Sequence, residues 1–547
     1  MIKLLYRLTM VVIPALLWGT LFTSCEDDKY NKIDDLFQPR LVLEKPEVKS
    51  NSIALVWYKV NDAVSYTVEL HQDTYYKSLF MTVDTTDPFV FLDDIPYGTT
   101  FYIRVRCNAE NAMHNSQWTY TNASTEARPA YAKLLEDVSK TEITENSAVI
   151  RWKGDPQNQV DSISVMPAMS DAAFVSRYLT EDEKEQGRAD ITDLEKNTLY
   201  TVNIYDTGKP RKYDKPYNQV TLRTAGPAAG SIEVGWDDDL STMLKENNDN
   251  ADIPEGTEYF LPAGSAYRVT PFSIKKGFRL VGSTEGEKPV VTMEGSWNIF
   301  SGSYISSLEF SNVEFRQEVN NNYFFNTGNA YTMENVSFIN CNFVSIRRGF
   351  WRHQGANAKY LINFEMEGCL FDQCGWQTGC YGTFNFQSYD KDNSVSYDHI
   401  ERATFRHCTF SRDNNGTDGY GWGNVFYAPY LDKPIHLEFK NVTVYNYCRN
   451  QRMINISSAV GSELVIESFV LASPCGELSS LAANTTTSYS NNYTTVDYAL
   501  GGGKMNAIDL DITAADLFVD PENGNLTIKD PSSPIVTNRA GDTRWLP

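Results

Sequence analysis

The feature that most limits the fold is a short segment that recurs in the C-terminal half. Ser311-Asn312-Val313-Glu314-Phe315, Ile339-Asn340-Cys341-Asn342-Phe343, Glu367-Gly368-Cys369-Leu370-Phe371, Arg406-His407-Cys408-Thr409-Phe410, Lys440-Asn441-Val442-Thr443-Val444 and Glu467-Ser468-Phe469-Val470-Leu471 align on one frame. Their central residues step by 28, 28, 39, 34 and 27. A constant strand at a variable period is what a solenoid produces, because each coil lays its strand about 4.8 Å above the last while added residues bulge at the corners. Residues 226–547 are therefore expected to form a parallel β-helix, and at roughly 30 residues per coil they allow about ten coils.

The same frame assigns the cysteines. Cys341, Cys369 and Cys408 share one register with Val313 and Val442, which predicts an inward stack of small apolar groups. Cys369, Cys374 and Cys380 lack the paired spacing and histidines of a zinc site, so no metal is expected there. Cys448 and Cys475 both lie six residues past their strand centre on neighbouring coils, where they could pair in an oxidising compartment.

Ahead of the solenoid the pattern changes to period-two strands broken by polar turns. Ile53 to Trp57, Tyr66 to Leu70 and Phe101 to Arg106 read as strands of a β-sandwich with a core Trp. Ile95-Pro96-Tyr97-Gly98-Thr99-Thr100-Phe101-Tyr102-Ile103-Arg104-Val105 resembles the L-x-P-G-T-x-Y-x-V-x-V signature of fibronectin type III domains, with Phe101 in the place of the corner tyrosine. Leu194 to Ile204 resembles it again, with Tyr200 in that place and Trp152 as the strand Trp. Residues 39–127 and 131–225 are thus expected to be two such domains, and the resemblance implies spacers, in keeping with the lack of an acid/base or metal cluster in either; ligand binding is the competing reading.

Residues 1–24 carry Lys3 and Arg7, then a mostly apolar run from Met10 to Phe22, and end at Cys25. This is a signal peptide, too short for a stable span. Leu21-Phe22-Thr23-Ser24-Cys25 resembles a bacterial lipobox, which implies lipidation of Cys25. The following Glu26-Asp27-Asp28-Lys29 resembles the acidic export tag of Bacteroidota surface lipoproteins, and residues 25–38 would form an acidic tether. A plain secretory signal is the competing reading.

The start of the solenoid carries a resemblance as well. A candidate amphipathic turn at Leu240 to Lys245, the Gly256-Thr257-Glu258-Tyr259-Phe260-Leu261-Pro262-Ala263-Gly264-Ser265-Ala266-Tyr267 segment and Phe272 to Gly282 follow the order seen in pectate-lyase-like right-handed β-helices, where a short helix caps the open core. The fold class expected for the whole chain is all-β: two immunoglobulin-like fibronectin type III sandwiches followed by a right-handed parallel β-helix.

Ligand chemistry concentrates after the strands of the middle coils. Arg347, Arg348, Trp351 and Arg352 follow the Cys341 strand, Trp376 the Cys369 strand, Tyr420 and Trp422 the Cys408 strand, and Arg449 and Arg452 the Val442 strand. Stacking would gather these residues into one glycan-binding strip, since aromatic rings pack on the apolar faces of sugars and guanidinium forks grip hydroxyls or carboxylates. Residues 340–460 hold 12 Lys plus Arg and 11 Asp plus Glu, net +1, in a chain of net charge −22. The competing reading is that these side chains only pack the loops onto the coils. The acidic balance itself argues against nucleic acid, whose binding needs a basic surface.

Pectate lyases of the resembled fold use an Arg or Lys base and a calcium ion. Arg352, Arg402 and Arg406 are the candidate bases here, and Asp390, Asp392, Asp413 and Asp418 the candidate calcium ligands. Those acids sit in Asn- and Gly-rich turn sequences, and no D-D or G-H-G run of a polygalacturonase-like hydrolase occurs in the coils. No catalytic residue and no cofactor is therefore assigned, calcium being required only if the chain is a lyase. The whole architecture resembles outer-membrane lipoproteins of Bacteroidota polysaccharide-utilisation systems. That resemblance implies a cell-surface protein, lipid-anchored through Cys25, that captures a pectin-like polysaccharide for neighbouring lyases and a TonB-dependent transporter. A β-helix lyase or hydrolase, and an adhesin with a protein partner, are the alternatives.

Overall fold

A computed structural model describes residues 35–127, 133–154, 159–168, 176–205, 218–317, 322–374, 382–412, 424–447, 452–472, 477–497 and 505–547. The chain divides into two compact units, one holding the first sandwich and the other holding the second sandwich with the solenoid.

The first unit is a two-sheet sandwich. Glu47–Lys49, Ser52–Val56 and Phe89–Leu92 form one sheet, and Leu79–Thr85, Ser65–His71, Thr100–Asn108 and Thr119–Ser124 the other, all antiparallel. Alternate residues point inward, so Ile53, Leu55, Val68, Leu70, Ile103 and Val105 are buried around Trp57, whose ring meets Tyr66 edge-on at 5.1 Å. The second sandwich repeats the plan with the sheet Ser176–Tyr178, Ser162–Pro167, Leu199–Tyr205 and Asn218–Arg223 and the pair Arg188–Ile191 with Ala148–Arg151.

The two signature segments differ at one corner, and the structure explains how each is satisfied. The Tyr200 hydroxyl accepts a hydrogen bond from the Glu195 backbone N–H at 2.8 Å, while Thr224 Oγ1 donates to the Glu195 carbonyl at 2.6 Å. In the first sandwich Thr125 Oγ1 donates to the Pro96 carbonyl at 2.7 Å in the same way. Pro96, however, has no N–H to offer, so Phe101 in place of tyrosine leaves no donor unpaired.

Among the described residues the solenoid carries two ten-stranded parallel sheets and a third of six strands. Register in the second sheet runs Phe315, Phe343, Phe371, Phe410, Val444, Leu471, Thr494, which is the spacing read from the sequence. The first four rings stack at 5.7, 4.8 and 4.9 Å, forming an apolar column inside the coils. Val313, Cys341, Cys369, Cys408, Val442 and Phe469 are fully buried beside it, as the shared frame requires.

From Asn312 onward the coils turn from the first sheet into the second through a residue in the left-handed region. Asn312, Asn340, Gly368, His407, Asn441, Ser468 and Asn491 occupy that corner with φ between 50° and 65°. Asn tolerates this conformation and Gly adopts it freely, which accounts for most of the residue types there. The helix Leu240–Asp249 closes one end, burying Leu240 and Leu244 against the cluster that contains Tyr259 and Tyr267. Ala514–Leu517, the hairpin of Phe518–Asp520 with Asn525–Ile528, and Pro534–Thr537 cover the outer face of the second sheet, burying Leu517, Phe518 and Leu526 against Tyr445, Val470 and Tyr493.

The second sandwich docks on the coils through buried polar groups. Glu145, 1% exposed at its side chain, accepts from Ser283 Oγ at 2.6 Å, the Thr284 N–H at 2.9 Å and Lys196 Nζ at 2.8 Å. Glu367 accepts from Ser139 Oγ and from the Lys140 N–H, both at 2.8 Å. Gly368 lies under Thr141: a Cβ there would stand 2.0 Å from Thr141 Cγ2, so any larger residue would push the sandwich away.

Candidate functional site

The third sheet of the solenoid is built from Tyr323–Thr327, Gly349–His353, Phe384–Phe386, Phe426–Tyr427, Arg452–Ile456 and Glu477–Leu481. Phe325, Trp351, Phe384, Phe426 and Ile454 pair in register and are fully buried. Alternation therefore turns the next residue of each strand away from the core, giving the ladder Asn326, Arg352, Asn385, Tyr427, Asn455, Ser480, of which Asn385 and Asn455 are buried and the other four partly exposed. Successive rungs stand about 4.8 Å apart, one coil per rung.

Side chains from the adjoining turns enrich this face. The Arg348 and Arg352 guanidinium groups lie 5.4 and 5.5 Å from the Tyr323 ring centre, a cation–π arrangement that fixes both. Tyr389 and Tyr430 stack at 4.2 Å with their planes 10° apart. Burial raises the Tyr427 hydroxyl pKa, Tyr430 adds to that, and the Arg452 charge opposes it, so all three groups share one neighbourhood. Asn385 accepts from Gln387 Nε2 at 2.5 Å, while its own amide nitrogen is buried with no hydrogen-bond partner among the described residues.

One wall of this face is a short hairpin, Tyr389–Asp390 with Val395–Ser396. The Asp390 carboxylate accepts from the Asp392 N–H at 2.9 Å, the Asn393 N–H at 3.2 Å and Asn393 Nδ2 at 2.8 Å, and these bonds hold its pKa below the usual carboxylate range. It is a turn-closing residue, as its sequence context indicates. Beneath the hairpin lies a fully enclosed polar chain. The Tyr331 hydroxyl donates to His353 Nε2 at 2.6 Å, His353 Nδ1–H donates to Asp398 at 2.7 Å, the Ser388 N–H donates to Asp398 at 2.6 Å, and Lys359 Nζ donates to Ser388 Oγ at 2.8 Å. Burial lowers the His353 pKa against the pull of Asp398, leaving the ring neutral, and it pushes the Lys359 amine down to about 8. The chain is closed to ligands, and its role is to brace the hairpin base.

The expected strip is thus partly reassigned. Trp351 is a core residue, 0% exposed, with its ring 4.6 Å from Phe325 and 5.8 Å from Phe364, so it cannot meet a sugar. The physical reason is phase: Gly349–His353 is a sheet strand, and Trp351 and Arg352 leave it on opposite faces. Arg347, Arg348, Arg352 and Arg452 are partly exposed at or beside the ladder. Trp376, Tyr420, Trp422 and Arg449 lie outside the described residues, as do Asp413, Asp418, the Cys448–Cys475 pair and Cys25. Tyr389, Tyr427 and Tyr430 were not anticipated; aligning the apolar–polar pairs Phe325-Asn326, Trp351-Arg352, Phe384-Asn385 and Phe426-Tyr427 would have exposed Tyr427.

Two of the candidate bases are engaged elsewhere. Arg406 Nε donates to Glu438 at 2.6 Å and Arg402 lies 3.8 Å from the same carboxylate, both on the first sheet. Burial would lower the Arg406 pKa, but Glu438 outweighs it and keeps the guanidinium charged. Among the described residues no group of three or more His, Cys, Asp or Glu side chains could hold a metal ion, and no helix is long and apolar enough to cross a membrane.

Comparison with known proteins bears on the two ends of the chain. Residues 437–545 match the family described as a domain of unknown function, DUF5123. The fibronectin type III domain of the human collagen alpha-1(XX) chain is 20% identical over 21% of this chain and 99% of its own, with TM-score 0.16. A two-domain fibronectin type III segment of chicken tenascin is 18% identical over 35% of this chain and 99% of its own, with TM-score 0.14. The search of curated proteins found no match. The chain is an all-β protein with fibronectin type III-like domains followed by a long parallel β-structure.

Proposed function

We propose that this chain is a cell-surface lipoprotein, anchored through Cys25, that captures an extended polysaccharide along the third sheet of its solenoid. One observation carries the reading: an outward row on which Asn326, Arg352 and Tyr427 are partly exposed at register positions one coil apart, bordered by Arg348, Arg452 and the stacked Tyr389 and Tyr430, with Asn385 and Asn455 buried in the same row. Amide and guanidinium donors interleaved with aromatic rings match a polymer whose units alternate hydroxyl-rich edges with apolar faces. Arg347, Arg348, Arg352 and Arg452 favour a uronate-bearing polymer such as pectin. A surface position, with transfer of the polymer to lyases and a TonB-dependent transporter, follows from the resemblance to polysaccharide-utilisation lipoproteins.

The test is a gel-retardation screen of the chain lacking residues 1–24 across plant and host polysaccharides, with ultraviolet absorbance of each mixture followed in parallel. Retardation in polygalacturonan without an unsaturated product supports capture. An unsaturated product would make the chain a lyase, and no retardation by any polymer would refute the proposal.

A further inference from the structure

The segment Asn538 to Trp545 runs across the left-handed corners of successive coils, stapled to each. Asn491 Nδ2 donates to the Asn538 carbonyl at 2.9 Å, Asn441 Nδ2 to the Arg539 carbonyl at 2.7 Å, and Thr409 Oγ1 to Asp542 at 2.7 Å. Trp545 Nε1 donates to Thr409 Oγ1 at 2.8 Å, and an Arg544 guanidinium N–H reaches the Gly368 carbonyl. Asp542 and Arg544, in a stretch of the chain with no role in the ladder, are thereby locked in place.

Between this segment, the corner residues and the docked second sandwich lies a cleft of about 780 Å³. That is within the size range of small-molecule sites, which favour junctions of this kind. Four of the six acids that line the cleft are paired with cations. Glu365 pairs with Lys140 at 3.1 Å, Glu438 with Arg406 at 2.6 Å, Glu467 with Lys440 at 3.1 Å and Asp137 with Lys133 at 2.7 Å, while Glu367 is held by Ser139 and Lys140. Arg539 and Lys153 also line it, and among the described residues neither head group has a hydrogen bond or ion pair, while Glu136 and Glu367 are the lining acids without an ion pair. Arg539 is half-buried in a left-handed conformation with φ 49°, which aims the side chain away from the helical path of the turn before it. Burial first, then the nearby Arg151 and Arg188, lower its pKa against the opposing pull of Glu136 and Glu142.

We infer that this cleft is a second saccharide site, separate from the third-sheet ladder, which takes a short anionic sugar, its carboxylate or sulfate on Arg539 with Lys153 beside it. The inference stands on the cleft's own geometry and borrows from the proposed function only the expectation that glycans reach this surface.

Titration calorimetry of the chain lacking residues 1–24 with trigalacturonate, with neutral galactotriose and with inorganic sulfate tests it. Trigalacturonate should bind, and Arg539→Asn, chosen because Asn keeps the left-handed backbone, should weaken it by about tenfold or more. Lys153→Gln, at an exposed position that folding does not depend on, should weaken it less, and Lys433→Gln, exposed and outside the cleft lining, should leave it unchanged. Absence of trigalacturonate binding, or binding that Tyr427→Ala removes and Arg539→Asn does not, would overturn the cleft while leaving the ladder to be judged by polymer retardation. Equal binding of sulfate alone would overturn the saccharide assignment, and equal binding of galactotriose the anionic one.

Discussion

Replacing Glu145 with alanine should loosen the second sandwich from the coils without unfolding either. The carboxylate receives three hydrogen bonds, two of them from Ser283 and the Thr284 backbone across the interface and one from Lys196. Bonds to a charged acceptor contribute about 1.5–3 kcal/mol each, and breaking a buried pair costs about 3–5 kcal/mol. Lys196 is half exposed and keeps Glu285 at 2.9 Å, so it recovers part of the loss. The net cost is about 3 kcal/mol, roughly a hundredfold in the docking equilibrium. Burial raises the Glu145 pKa, but Lys196, Ser283 and Thr284 outweigh it and hold it below the ordinary carboxylate value. Its contribution is therefore complete above that ordinary value and fades as pH falls through the depressed one. Native-state hydrogen exchange reads this directly, through the Glu145 N–H, which donates to Thr284 Oγ1 at 2.8 Å, and the Lys140 N–H, which donates to Glu367. Both should exchange about a hundredfold faster in Glu145→Ala while Phe343 and Phe371 in the coil core keep their protection. Unchanged exchange at Lys140 and Glu145 would refute the reasoning that these bonds hold the interface.

Three further outcomes follow from the same contacts. Cys25→Ala should move the protein from the membrane fraction to the soluble one, since a lipid on that thiol is the proposed anchor; sedimentation with membranes would refute the lipobox reading. Tyr200→Phe should cost the second sandwich about 1 kcal/mol in chemical denaturation, whereas Phe101→Tyr should yield no gain, because Pro96 offers no N–H. His353 is held neutral by burial, with Tyr331, Asp398 and Lys359 as the ionisable groups packed around it, so its contribution is present above its ordinary pKa and lost as pH falls below it. Unfolding free energies measured from about pH 8 to about pH 5 should fall more steeply for the native chain than for His353→Gln.

The solenoid could be read in the sequence because its second-sheet strand recurs in phase with a left-handed corner on seven successive coils, and both signals are local. Cys341, Cys369 and Cys408 fell into place for that reason. The third sheet was opaque because turns of unequal length separate it from the second: the chain leaves the second sheet at Val344, Asp372, Ser411 and Tyr445 and rejoins the third at Gly349, Phe384, Phe426 and Arg452. No fixed offset carries the phase across such turns, so Trp351 read as exposed beside Arg352, and Tyr427 was hidden behind the longest of them. The docked second sandwich was invisible for another reason. Ser139 and Glu367, which meet at 2.8 Å, are 228 residues apart, and nothing in either neighbourhood names the other. A domain with its own core and no catalytic residues reads as a spacer until its contacts are seen.

The central claim is that the outward ladder of the third sheet holds the polysaccharide, and affinity electrophoresis in polygalacturonan of Tyr427→Ala and Arg352→Gln beside the unaltered chain tests it most directly. Losing an aromatic contact of about 0.5–1.5 kcal/mol predicts a twofold to tenfold weaker retardation for Tyr427→Ala. Arg352→Gln should lose a charge-assisted contact whose effect grows as salt is lowered. Both variants should melt with the unaltered chain. Full retardation in both, with melting temperatures lowered instead, would contradict the account and leave these side chains as packing for the coil surface.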